Sequence, residues 1–187
     1  MKKHNNPPRH KRKRKFKPYW VTLYTDASFR EGHGSWAYWI RSGKGRLVNS
    51  GPCPREVQTS NQAELYAIYK ALETIKTDLP KTVGVFLNSD SLMACEKTPL
   101  GSALINGASK KWQKEIHKII KEQNWEYRTK HIRAHQKVRD TRTFINSQVD
   151  ELARNALPKE SRPPLSTRIY GKVMKWWYNF KRFLSGR

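Results

Sequence analysis

Residues 60–90, SNQAELYAIYKALETIKTDLPKTVGVFLNSD, decide how this chain of 187 residues is put together. Ile68, Ala71, Leu72 and Ile75 recur at helical spacing, Thr59 or Ser60 can cap the first turn, and the pattern runs to about Thr77 before Pro80 breaks it. The apolar run TVGVFLNSD then reads as a short strand closing on Asp90. Working outward, YWVTLYT alternates bulky and β-branched residues from Tyr19 to a strand end at Asp26. SWAYWI and RLVNSG, separated by the turn residues of RSGKG, form a hairpin. A helix between the third and fourth strands is a crossover, which requires parallel as well as antiparallel pairing.

Downstream, SLMACEK is a brief helix and Pro99 and Gly101 mark a loop. Residues 108–122 form a second amphipathic helix with Trp112, Ile116, Ile119 and Ile120 on one face. WEYRTKHIR is a fifth strand, and residues 145–156 form a last helix with Val149, Leu152, Ala153 and Ala156 inward. The expected fold class is α/β, a five-stranded mixed sheet in the order βββαβααβα with helices on its faces. The domain boundaries follow: a disordered basic arm over 1–18, one domain over 19–157, and a basic, aromatic-rich extension over 158–187.

A net charge of +23 exceeds what solubility requires and points to a polyanionic partner, nucleic acid before membrane. Residues 1–25 hold nine Lys or Arg and no acid, and residues 158–187 hold eight against Glu160 alone, so the tails carry +9 and +7. Cys53 and Cys95 lack both metal-site spacing and the density of a disulfide framework, so both are expected as free thiols in a reducing compartment. With no secretion-signal pattern and no apolar run of membrane-spanning length, a cytoplasmic protein is expected, and a monomer.

Four acids sit inside stretches that otherwise read as core: Asp26 in YTDAS, Glu64 in SNQAEL, Asp90 in FLNSD and Asp150 in QVDELA. Glu64 shares the helical stripe of Ile68, Ala71 and Ile75, and Asp26 and Asp90 close strands at the edge where α/β sheets gather ligands. Each alone reads as a turn residue or a dipole-favoured acid. Together, so much buried negative charge calls for cations. Hard divalent ions choose such oxygen donors, and Mg²⁺ keeps positions open for water and substrate phosphate. A pair of such ions roughly 3.5 to 4 Å apart activates water and stabilises the leaving oxygen of a phosphoryl displacement. On a strongly basic chain that chemistry suggests a nuclease.

TDAS, SNQAEL, LNSDS, and HIRAHQ followed by VDELARNA stand in the order and spacing of type 1 ribonuclease H, and the resemblance spans about residues 20–157. It implies the ribonuclease H fold and endonucleolytic hydrolysis of the RNA strand of RNA–DNA hybrids, leaving 5′-phosphate and 3′-hydroxyl ends. Carried over by residue, it implies that Asp26, Glu64, Asp90 and Asp150 bind two Mg²⁺ ions, with Mn²⁺ as an alternative, and activate the attacking water. His135 matches the family histidine that transfers protons or assists product release, a role suited to an imidazole near neutral pH. His131, inside the fifth strand, reads as structural. Ser28, Ser60, Asn61 and Gln62 match the groups that sense the RNA 2′-hydroxyl, although Ser60 and Asn61 also read as helix caps. Asn146, before the body of the last helix, is placed near the metal site by the same analogy.

Three features depart from the family pattern. Leu92 stands where many members place a glutamine against the substrate, Thr98–Ser109 is too short and too poor in charge for a basic protrusion, and the loop SFREGHG after Asp26 is short. KRKRK in the arm can supply the missing grip by binding phosphates, or act as a localisation signal. On a helix, Arg168, Lys172, Lys175 and Arg182 oppose Ile169, Val173, Trp176, Phe180 and Phe183. That pattern suits packing on the core, a protein partner or an anionic surface. The competing readings are a noncatalytic nucleic-acid-binding protein on the same fold and a DNA-cutting relative. Retention of all four acids counts against the first, and the histidine motif with SNQAEL against the second.

Overall fold

The computed structural model describes residues 19–132 and 141–159. The expectations placed on residues 1–18, on His135 and on the extension beyond Lys159 lie outside the described residues. The elements are β1 (Tyr19–Arg30), β2 (His33–Ser42), β3 (Gly45–Pro52), α1 (Ser60–Asp78), β4 (Thr82–Ser89), α2 (Leu92–Lys97), α3 (Ser109–Glu122), β5 (Glu126–His131) and α4 (Thr141–Ala156). The five strands form one mixed sheet in the order β3-β2-β1-β4-β5, antiparallel from β3 to β1 and parallel from β1 to β5. The crossover read from residues 60–90 is therefore present, with α1 carrying the chain from the β3 edge past β1 to β4.

One face of the sheet packs on α1, which in turn packs on α3. Odd-numbered residues of β1 point there, so Val21 and Leu23 join Ile40, Val85 and Leu87 against Ile68, Ala71, Leu72 and Ile75, all fully shielded. Trp112, Ile116, Ile119 and Ile120 of α3 close the core, and Trp112 meets Tyr66 edge-on at 4.7 Å between ring centroids. The opposite face receives α4 across β1, β2 and β3, where Tyr24, Ala37, Ile132, Ile145, Val149 and Ala153 form a second, smaller cluster.

Several boundaries differ from expectation. β1 does not stop at Asp26: pairing with β2 continues to Arg30 opposite His33, so most of the expected loop SFREGHG is strand. Glu31 and Gly32 make the turn, with φ of 51° and 77°. Positive φ at both central residues suits the right-handed twist of a two-residue hairpin. α4 starts at Thr141 rather than at residue 145, so Asn146 lies inside it rather than before it, and Asp150 lies beyond its first turns. Leu152 and Ala156 of α4 are only half-buried, while Ile145 and Asn146 are buried. Of the two expected caps of α1, Thr59 is the one used, accepting from the Gln62 amide at 3.3 Å. Both cysteines are free, and burial pushes their thiols up, Cys53 to about 12 and Cys95 to about 11.

Candidate active site

β1 and β4 run parallel with Tyr24 opposite Asn88, so Asp26 and Asp90, each two residues further on, stand level at the same end of the sheet. Glu64, in the first turns of α1, reaches them because α1 packs along β1 with its N-terminus at that end. One carboxylate oxygen from each of Asp26, Glu64 and Asp90 lies within 4.8 Å of the others. The site thus draws one acid each from a strand, a strand end and a helix start, all anchored by the main core.

The electrostatics are adverse without a cation. Burial, then the charge of Asp90, pushes Asp26 up from 3.8 to about 7, against the opposing pull of the Ala27 amide, which donates to Oδ1 at 2.8 Å. Burial and the neighbouring Asp26 and Asp90 also hold Glu64 well above the ordinary carboxylate range. Asp26 and Glu64 are neighbouring buried acids that cannot comfortably both ionise. Glu64 Oε2 is buried without a hydrogen-bond partner. An orphaned carboxylate oxygen facing two more acids, all hard donors, is what a divalent cation fits.

Asp90 is held from two sides. Asn146 Nδ2 donates to its Oδ2 at 3.2 Å, and the ring nitrogen Nε2 of His131 donates to its carbonyl oxygen at 3.0 Å. Asn146 Oδ1 is a second buried atom without a partner. Asp150, on the next turn of α4 after Asn146, lies outside the three-acid cluster and is engaged by Arg154, whose Nε donates to Oδ1 at 2.7 Å while its NH2 group contacts Oδ2. Arg154 also lowers the proton affinity of Asp26 and so acts as a local counter-charge. Its spacing of four from Asp150 on a helix is the signal by which it could have been read.

Of the groups assigned to substrate, Ser60 and Asn61 are exposed at the N-terminus of α1, and Ser28 is half-buried on β1. Gln62 is buried and turned inward, its Oε1 accepting from the Gln58 amide at 2.6 Å, so it closes the helix start. Leu92 is exposed on the first turn of α2. A structural residue that sequence reasoning missed is Gln113. Fully buried in α3, it accepts from the Ile105 amide at 2.7 Å and donates to the Lys97 and Ala103 carbonyls at 2.7 and 3.1 Å. That network pins the loop over residues 98–108 in place of a protrusion.

The RNase H family model matches residues 18–158, and the chain belongs to that family of nuclease hydrolases. No curated protein sequence is significantly similar to it. Among solved structures, RNase H1 from the halophilic archaeon Halobacterium salinarum NRC-1 is 19% identical, covers 73% of this chain and 96% of its own, and has a TM-score of 0.58. LC11-RNase H1 in complex with an RNA/DNA hybrid is 22% identical, with coverage of 73% and 96% and a TM-score of 0.59. The N-terminal RNase H domain of rv2228c from Mycobacterium tuberculosis is 15% identical, with coverage of 74% and 93% and a TM-score of 0.58. At these identities the likeness is one of fold. Among the described residues no helix is long and apolar enough to cross a membrane.

Proposed function

We propose that the chain is a divalent-metal-dependent endoribonuclease that hydrolyses the RNA strand of RNA–DNA hybrids and leaves 5′-phosphate and 3′-hydroxyl ends. The observation that carries this is the cluster of Asp26, Glu64 and Asp90, in which burial and mutual charge raise the proton affinity of Asp26 and Glu64, on a member of the RNase H family. A solved structure of similar fold is a complex with an RNA/DNA hybrid, which supports the substrate.

In this reading Asp26, Glu64 and Asp90 hold two Mg²⁺ ions, or Mn²⁺ in their place, with Asp150 as fourth ligand. Bound there, the ions supply Lewis-acid stabilisation of charge on the phosphoryl oxygens and activation of water. The protein's own groups do the rest. Asn146 fixes one oxygen of Asp90 and leaves the other for the site. Arg154 keeps Asp150 oriented along α4 and offsets the negative field around Asp26. The exposed N-terminus of α1 presents free amides to a backbone phosphate, while Ser60, Asn61 and Ser28 meet the 2′-hydroxyl that only the RNA strand carries. Gln62 acts through its cap, by holding that helix start in place. His135 moves a proton on or off the reacting oxygens. The ribonuclease unit spans residues 19–157, flanked by the basic arm and the extension, and works as a cytoplasmic monomer.

The test incubates the purified chain with labelled RNA–DNA hybrid, duplex RNA, duplex DNA and single-stranded RNA, in Mg²⁺ or in EDTA, beside Asp26→Asn. Cleavage of the hybrid's RNA strand alone is expected, lost in EDTA and reduced at least a hundredfold in the variant. Mg²⁺ should also raise the melting temperature of the wild type and not of Asp26→Asn. Hybrid bound but uncut in Mg²⁺ would sink the reading and favour a noncatalytic clamp.

A further inference from the structure

The face of the sheet that receives α4 is only partly covered. α4 crosses it at the site end, over Tyr24 and Ala37, and the parity that puts Tyr24 there puts Trp20 and Thr22 on the same face further back. Strand register extends that half outward: Trp20 pairs with Gly84 and Thr22 with Phe86 on β4, and Phe86 with Arg128 on β5. On the other side Thr22 pairs with Arg41 and Arg41 with Arg46. The second cluster ends at Trp39, on whose ring Arg46 lies, and includes neither Trp20 nor Phe86.

We propose that this open half of the sheet binds single-stranded nucleic acid. Trp20 is 39% exposed, and its ring lies so close on Gly84 that a Cβ there would stand 2.7 Å from it, which lays the ring flat against the sheet. The Arg128 guanidinium stacks on it at 4.9 Å from the ring centroid, and Arg46 stacks on Trp39 at 5.2 Å. Aromatic rings and guanidinium planes lying along a sheet are stacking surfaces for unpaired bases, whereas a duplex keeps its base faces to itself.

The charges point the same way. Arg41 and Arg46 are exposed and directly opposed across β2 and β3, an arrangement that costs stability when no anion lies between. Glu126 is the acid on β5 that faces this half, and Arg128 already engages it, Nε to Oε1 at 2.9 Å. A phosphate backbone would neutralise the Arg41/Arg46 pair while its bases take the rings. Trp20 and Asp26 lie six positions apart along β1, about 20 Å, so the surface is distinct from the acidic site.

The test uses the full chain in EDTA, where no hydrolysis can occur, and a fluorescein-labelled dT20 strand. It compares wild type with R41A/R46A, a variant that removes a repulsive pair and should melt no lower. Affinity should fall at least fivefold and the slope of log Kd against log salt should shrink by about 1.4, two contacts' worth on single-stranded DNA. Crosslinking with iodouridine-substituted dT20 should label peptides containing Trp20 or Trp39. Wild-type affinity and slope in the variant, with crosslinks confined to residues 1–18 or 160–187, would overturn the proposal and leave binding to the tails. Equal displacement of dT20 by polyglutamate of matched charge would also overturn it, since an acidic chain offers nothing to stack. Cleavage of hybrid is read separately, so failure here leaves the hydrolase reading standing.

Discussion

Between the sheet and α1, the side chains of Val21, Leu23, Ile40, Ile68, Leu72, Ile75 and Leu87 are wholly shielded from water. At one end of the same sheet lie three acids with the orphaned Oε2 of Glu64, and across the sheet lies an exposed Trp20. The first side follows the ordinary rule of apolar burial, and a native chain departs from that rule mainly where function demands it. The contrast teaches that α1 serves both sides at once. Its body carries the apolar stripe that anchors the domain, and its first turns carry Glu64 into a site that works against folding.

The sharpest way to break that contrast is Leu72→Ala on the shielded side. Leu72 is fully buried in the main cluster, and the cavity should cost about 2 to 5 kcal/mol. A large drop in melting temperature is expected, with hybrid cleavage per folded molecule at low temperature little changed. Melting within a degree or two of wild type would mean that the core tolerates the cavity and that α1 is not its anchor.

Asp26→Asn should move stability in the opposite direction. The folded-state pKa of Asp26 is raised to about 7 from 3.8, so between about pH 4 and pH 7 the native state holds more protons than the unfolded one. Stability therefore falls as pH rises through that window, and the full cost is present above pH 7. An asparagine carries no such charge. In EDTA the variant should melt at about the wild-type temperature near pH 4 and several degrees higher at pH 8, a gain on the order of 1 to 3 kcal/mol. A variant that melts lower than wild type at pH 8 would mark Asp26 as a structural acid.

The two sides were also unequally legible in the sequence. Helical periodicity exposes the Ile68, Ala71, Leu72 and Ile75 stripe, and strand alternation brings Asp26 and Asp90 to one sheet end, because both signals are local. The extension of β1 to Arg30 was hidden because its turn, Glu31–Gly32, is set by pairing with β2 rather than by a strong turn dipeptide. The start of α4 at Thr141 was hidden because Thr, Asn, Ser and β-branched residues in TRTFINS are weak helix formers that tertiary packing of Ile145 and Val149 overrides. The bond of Asn146 to Asp90 and the inward turn of Gln113 span gaps in the chain that no periodicity reports.

A smaller effect probes the seam between the two sides. Ser35, fully buried on β2, donates from Oγ to the carbonyl oxygen of Ala153 at 2.6 Å, near the C-terminal end of α4, where carbonyls run short of intrahelical donors. This bond ties the helix bearing Asn146, Asp150 and Arg154 to the sheet at its far end. Ser35→Ala leaves that carbonyl with one donor fewer, at a cost of about 1 to 2 kcal/mol, and at about 2 to 4 °C per kcal/mol the melting temperature should drop by a few degrees. Combining it with Asn146→Ala tests whether α4 is held as one rigid piece. If the two anchors act through the same helix, the double variant should lose measurably less or more than the sum of the single losses. Strict additivity would show that the end of α4 near the acids is positioned locally by Asn146 and Asp90, independently of its attachment at Ser35.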